Sequence, residues 1–248
     1  MTQNLKRLAL CAVLVAAFCA YVPRALAVAP SATNLSAAET YTEDTPLNLV
    51  DIVVTDGDSA TTTATLTLSN VSAGSLTTGT SGSVTSTYIA GTGVWTASGT
   101  IADVNVLLAG VTFVPASNFN ASFSITTSVT DGVGTVSGSK AVTGIAINDA
   151  PGATNLSAAE TYTEDTSLNL IDIVVSDVDS ANVTATLTLS NPSAGSLSTG
   201  TSGAVTSTYV AGVWTASGAT ANVNVLLAGV TFVPASDFNA SFSIATSV

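Results

Sequence analysis

Sixteen acidic side chains face four basic ones in this 248-residue chain, which has no histidine. The acids recur in sets. Glu43-Asp44 returns as Glu164-Asp165, and Asp56-Gly57-Asp58 as Asp177-Val178-Asp179. Glu39 and Asp51 return as Glu160 and Asp172. Each Asp-x-Asp ends an apolar run, "LVDIVVTD" or "LIDIVVSD", where a strand should leave its sheet. Carboxylates this close repel one another until solvent or a shared cation relieves them. Ca²⁺ is the cation that collects about six to eight oxygens from carboxylates, carbonyls and water. A solvated acidic turn has the same spacing, so spacing alone leaves both readings open. The EF-hand pattern is not met, for its third acidic position, its Gly and its distal Glu are all missing.

Catalysis is a poor reading of the same residues. Both cysteines, Cys11 and Cys19, lie near the N-terminus. Beyond them neither His nor Cys remains, and the abundant Ser and Thr would need a base to activate them. Lys140 stands alone in a strand-like segment. A carboxylate pair can cleave glycosides, but acids shared between repeats at domain ends suit a structural site better. The chain is expected not to be an enzyme. The Asn-x-Ser/Thr matches at Asn34, Asn70, Asn120, Asn155, Asn182 and Asn239 are expected by chance in so Asn-, Ser- and Thr-rich a sequence.

Residues 1–27 read as a secretory signal peptide. Lys6 and Arg7 precede an apolar run, Leu8–Val22, and Ala25-Leu26-Ala27 is a small-x-small cleavage signature. The run is short for a membrane span. Cleavage after Ala27 leaves one basic residue, Lys140, against sixteen acidic ones, a net charge of −15. Neither nucleic acid nor an anionic membrane is an electrostatic partner for such a chain. Secreted domains often rely on disulfides. This one would have to rely on a packed core, or on something that binds the excess carboxylate.

The recurrence is a whole domain in tandem. Pro30–Ser59 and Pro151–Ser180 differ at only five of thirty positions. Further on, "NVLLAGVTFVPAS" recurs at Asn105–Ser117 and Asn224–Ser236. A period this long exceeds a solenoid unit. The expected domains are 28–149 and 150–248. The second lacks a counterpart of Thr130–Asp149, including the strand-like "KAVTGIAIN" (Lys140–Asn148). Such a sandwich exposes an edge and part of its core.

Within each copy the pattern is β. "TATLTLS" (Thr63–Ser69) and "FSITTSV" (Phe123–Val129) alternate apolar residues with Thr or Ser. "STYIAGTGVWTAS" (Ser86–Ser98) reads as a hairpin, whose turn the second copy trims by two residues. One helix is expected, with Thr100-Ile101-Ala102-Asp103 as its capping box and Gly110 as its stop. Ala219 and Asn222 make the second cap weaker. About seven short strands per copy suggest an antiparallel β-sandwich. Trp95, Phe113, Phe119 and Phe123, with Trp214, Phe232, Phe238 and Phe242, are assigned to its cores. A solvent-facing aromatic platform for sugars is the alternative.

The combined order of motifs resembles cadherin repeats, most of all the bacterial cadherin-like tandem repeats of large surface and adhesin proteins. The first copy has "TEDT" with Glu43, "TDGDSA" with Asp56 and Asp58, "TDGVG" with Asp131, and "NDAP" with Asn148 and Asp149. The second has "TEDT" with Glu164 and "SDVDSA" with Asp177 and Asp179. The resemblance implies tandem Ig-like Greek-key sandwiches with Ca²⁺ at the junction, held by Glu43, Asn148, Asp149, Asp177 and Asp179. It implies a second, incomplete N-terminal site from Asp56, Asp58 and Asp131. There is no Asp-Arg-Glu motif, and the linker is shorter than in animal cadherins. One or two ions of millimolar to sub-millimolar affinity are therefore expected. The implied function is an extracellular, Ca²⁺-rigidified spacer or adhesion segment, secreted or at the cell surface. Further repeats C-terminally, and cell-surface proteins or glycans as partners, are part of that expectation. A carbohydrate-binding module and a passive, metal-independent stalk are the alternatives.

Overall fold

Thr61–Leu68 shows how this sequence makes strand. Thr62, Ala64, Leu66 and Leu68 are buried while the intervening threonines face outward, and β-branched residues favour the extended backbone that permits the alternation. The strand is central to a six-stranded sheet. The order is Glu39–Thr42, Thr135–Ile145, Phe123–Thr130, Thr61–Leu68, Val94–Thr100 and Thr87–Ile89. A three-stranded sheet of Leu47–Asn48, Thr112–Pro115 and Gly74–Leu76 completes the sandwich. The computed structural model describes residues 28–248, so the expected signal peptide lies outside the described residues. The chain divides into two compact units between Ala146 and Ile147. Among the described residues no helix is long and apolar enough to cross a membrane.

The protein is an all-β sandwich, and among the described residues one pairing departs from a purely antiparallel arrangement. Glu39–Thr42 pairs in parallel with Thr135–Ile145, with Glu39 opposite Val142. Parallel neighbours cannot be joined by a tight turn, and here nearly the whole unit forms the connection. Strands are also more numerous and shorter than the pattern suggests. The run "LNLVDIVVT" supplies only Leu47–Asn48 and Val54–Thr55. Between them the Val50 amide donates to Glu39 and its carbonyl accepts from Lys140, so side chains take the groups that a ladder would use.

The first core gathers Trp95, Phe113, Tyr41, Leu66 and Ile125, all essentially inaccessible to solvent. Each such side chain contributes about 1.5–3 kcal/mol by burial. The Trp95 indole N–H donates to the Thr77 carbonyl at 3.0 Å. Phe113 meets Tyr41 edge-on at 5.2 Å and Phe123 at 4.9 Å. Phe119 and Phe123 are half-buried against this cluster. Trp214, Phe232, Phe238 and Phe242 repeat the arrangement in the second unit, so all eight aromatics belong to the cores.

The expected helix is Ile101–Ala109, between Thr100 and Gly110. The Thr100 hydroxyl accepts from the Asp103 amide at 3.2 Å and donates to its carboxylate at 2.7 Å. A second hydroxyl, from Ser81, reaches the same carboxylate at 2.9 Å. These donors hold the Asp103 carboxyl below its ordinary value of 3.8. A depressed folded-state pKa contributes stability above the unfolded value, and that contribution is lost as pH falls through the folded one. The second helix, Thr220–Ala228, has Ala219 at the cap, no side-chain cap bond, and Asn222 in place of Asp103. It persists because Val223, Leu226 and Leu227 are buried. Acidification from pH 5 to pH 2 is therefore expected to fray the first helix more than the second. Amide exchange along the two helices measures this, and equal fraying would rule it out.

In the second unit the main sheet has four strands, Thr208–Val210, Val213–Ala219, Asn182–Leu189 and Ile244–Ser247. The facing sheet again has three, Leu168–Asn169, Thr231–Pro234 and Gly195–Leu197. The trimmed hairpin pairs Val210 directly with Val213, which places Ala211 at φ 49° and Gly212 at φ 85°. A two-residue turn with both φ positive favours Asn-Gly, and an alanine there costs roughly 1–2 kcal/mol. Ala211→Asn is expected to stabilise this unit by about 0.5–1 kcal/mol. A urea midpoint that fails to rise would refute the assignment of strain.

Candidate metal centre

The strand Val54–Thr55 delivers Asp56, and a helix residue fixes that strand. Asn105 accepts from the Val54 amide at 2.8 Å and donates to the Val54 carbonyl at 2.9 Å. Asn224 holds Val175 in the same way, at 2.8 and 2.9 Å. Neither asparagine stands out as a site residue in the sequence. The available signal is a polar residue shared by both copies inside an apolar run, Val104–Leu108 and Val223–Leu227.

Asp56 then closes a tight turn. Its Oδ1 accepts from the amides of Asp58 and Ser59, both at 3.0 Å, the geometry that makes aspartate a turn former. Those amides hold its carboxyl below the ordinary carboxylate range. Its Oδ2 is buried with no hydrogen-bond partner. Asp58 Oδ2 accepts from the Val28 amide at 2.9 Å. Asp131 follows the strand Phe123–Thr130, and its Oδ1 accepts from the amides of Val133 and Gly134 at 2.8 and 2.7 Å. One carboxylate oxygen from each of Asp56, Asp58 and Asp131 lies within 4.8 Å of the others. At that separation each pair of charges repels by roughly 1 kcal/mol in water, and by more where water is excluded. A divalent cation reverses the sign, and a buried carboxylate oxygen with no donor is a fitting ligand for it. The set of acids implied to be incomplete at the N-terminal site is thus the one whose side chains converge.

The other implied ligands have individual surroundings. Glu43, only 2% exposed, accepts from the Asn120 amide group at 3.0 Å, and its own N–H donates to the Ile145 carbonyl at 3.0 Å. In the second unit, Asp177 Oδ1 accepts from the amides of Asp179 and Ser180 at 2.9 and 2.8 Å, reproducing the Asp56 turn. Asp179 Oδ2 accepts from the Asp149 amide, so Asp149 occupies the place that Val28 has in the first unit. The Asn148 side chain donates to the Asp149 carbonyl at 2.7 Å. Among the described residues of the second unit, Asp149, Asp177 and Asp179 do not close to within the distance that unites Asp56, Asp58 and Asp131.

No family model matches the chain, and no curated protein does. Solved structures similar to it include the titin domains Z1Z2 in complex with telethonin, at 9% identity and a TM-score of 0.33, covering 90% of this chain and 95% of that one. Human protocadherin-24 EC1-2 is similar at 14% identity and a TM-score of 0.31, covering 90% and 94%. The C-terminal domain of the Streptococcus agalactiae AgI/II polypeptide BspA is similar at 8% identity and a TM-score of 0.23, covering 84% and 91%.

Proposed function

We propose that this chain is a calcium-binding, extracellular spacer or adhesion segment. The observation that carries the reading is the group Asp56, Asp58 and Asp131, with the Asp56 Oδ2 buried and without a donor. In this reading Ca²⁺ ties three separate pieces of chain together: the turn after Val54–Thr55, the loop after Phe123–Thr130, and the segment at Val28 that touches Asp58. Carbonyls and water complete the six to eight oxygens that the ion collects. The ion binds the folded unit and not the unfolded chain, so it stabilises by mass action. Asp177 and Asp179, set in the same turn, are the oxygens that the second unit offers.

Calorimetric titration of the chain with Ca²⁺, beside an Asp56→Asn variant and a Mg²⁺ control, tests the site. Heat of binding that is absent in the parent, or unchanged in the variant, would sink the proposal. The spacer role makes a separate demand: small-angle scattering should report a stiffer chain with Ca²⁺ than with chelator. Identical profiles would leave a metal site without a spacer function.

A further inference from the structure

A short ladder at the start of the first unit decides which main-chain nitrogen meets the acidic turn. Ser31–Ala32 pairs antiparallel with Val54–Thr55, Ser31 opposite Thr55 and Ala32 opposite Val54. Continued outward, that register sets Val28 opposite Asp58. The Val28 nitrogen indeed donates to Asp58 Oδ2 at 2.9 Å. Pro30 behind it is buried. Ala29 lies against the loop that follows Asp131, where a Cβ on Gly134 would come within 2.3 Å of the Ala29 Cβ. Val28 and Ala29 are thus seated against both pieces of chain that carry Asp56, Asp58 and Asp131.

The second unit repeats the ladder with different chemistry. Gly152 stands opposite Ser176 and Ala153 opposite Val175, which sets Asp149 opposite Asp179, and the Asp149 nitrogen donates to Asp179 Oδ2. That nitrogen belongs to the peptide bond with Asn148 and carries no charge. The Val28 nitrogen differs. Ala25-Leu26-Ala27 is a small-x-small signature for cleavage after Ala27, and cleavage there turns the Val28 nitrogen into an α-ammonium. The strand register and the cleavage signature are separate observations, and they meet at one atom.

We propose that the α-ammonium of the processed chain is the resident cation of this acidic group, bound through Asp58, and that Ca²⁺ competes with it there. The first half stands on the ladder and the cleavage signature. The second half rests on the calcium reading. An α-amine is mostly protonated at neutral pH, and a charge-assisted hydrogen bond to a carboxylate is stronger than a neutral one. Lys140, the sole Lys or Arg beyond Ala27, is buried against Glu39. The α-ammonium is therefore the cation left to face Asp56, Asp58 and Asp131. Beside the same carboxylates it repels a divalent ion, so processing lowers the affinity for Ca²⁺ below what the acids alone would give.

The test uses the chain cleaved after Ala27, at pH 6.5, with and without acetylation of its α-amine. Acetylation leaves an amide N–H that can still donate to Asp58 and removes only the charge. Lys140, at 0% exposure, is shielded from the reagent, and peptide mapping verifies this. N-terminal sequencing of the protein from a secreting host should begin at Val28; any other first residue would overturn the proposal. In chelator, acetylation should lower the melting of the first unit by about 1–5 °C, read from Trp95 fluorescence in a Trp214→Phe background. In an Asp58→Asn variant the same modification should cost less than half as much. Unchanged melting, or an equal loss in Asp58→Asn, would overturn the proposal whether or not Ca²⁺ binds. With Ca²⁺, acetylation should tighten binding about three- to tenfold, and an unchanged affinity would overturn the competition. A chain that binds no Ca²⁺ yet melts lower on acetylation would refute the calcium reading and leave the ammonium in place.

Discussion

Lys140→Met is expected to destabilise the first unit by about 3–5 kcal/mol. The Lys140 ammonium is 2.8 Å from Glu39 Oε1 and 3.0 Å from the Val50 carbonyl, and the two charged side chains are 0% and 3% exposed. The pair itself is not the source of so large a number. Desolvating two charges offsets most of their attraction, and an apolar pair of similar volume is often as stable. The cost comes from stranding one partner, since the Glu39 carboxylate would stay buried with the Val50 amide as its donor. A domain of this size has only about 5–15 kcal/mol in hand, so melting should fall by on the order of 10–20 °C. The double variant Lys140→Met with Glu39→Gln should recover a large part of the loss. In a Trp214→Phe background, Trp95 fluorescence reports unfolding of the first unit alone. A single variant within about 1 kcal/mol of the parent would show that the ion pair has no structural role. The second unit offers a comparison, because Glu160 is open to solvent.

That ion pair marks where the sequence stops being legible. Thr61–Leu68 and Phe123–Thr130 could be read as strands because alternation is local and each residue's neighbours confirm it. The capped helix could be read because Thr100, Asp103 and Gly110 act within one short stretch. Glu39 and Lys140 are 101 residues apart, and only the parallel pairing of Glu39–Thr42 with Thr135–Ile145 brings them together. Without that pairing, Glu39 read as one acid among many and Lys140 as an isolated cation. The metal cluster divides in the same way. Asp56 and Asp58 announce themselves by spacing, whereas Asp131 entered through a resemblance in motif order. Asn105, which fixes the strand ahead of Asp56, acts across 51 residues, and its place in an apolar run does not name that distant partner.

Calcium is expected to raise the melting temperature of the first unit by several degrees, and Asp56→Asn to abolish the rise. With a dissociation constant on the order of 10⁻⁴–10⁻³ M, 10 mM Ca²⁺ is about 10–100 times that constant. Mass action then stabilises the folded unit by about 1.4–2.7 kcal/mol. The substitution separates the turn from the ligand. An asparagine side-chain oxygen can still accept from the amides of Asp58 and Ser59, which Asp56 Oδ1 now does at 3.0 Å. What it loses is the charge and the second oxygen, the one buried without a donor. With chelator present the variant should lie close to the parent, because the loss of a charge that the amides of Asp58 and Ser59 favour is offset by the removal of one of three mutually repelling carboxylates. Only the response to Ca²⁺ should disappear. Asp177→Asn makes the same change in the second unit and should leave the Trp95 response intact in the Trp214→Phe background. If Asp56→Asn melted lower than the parent in chelator and still responded to Ca²⁺, the carboxylate would be a structural turn former and the ion would bind elsewhere.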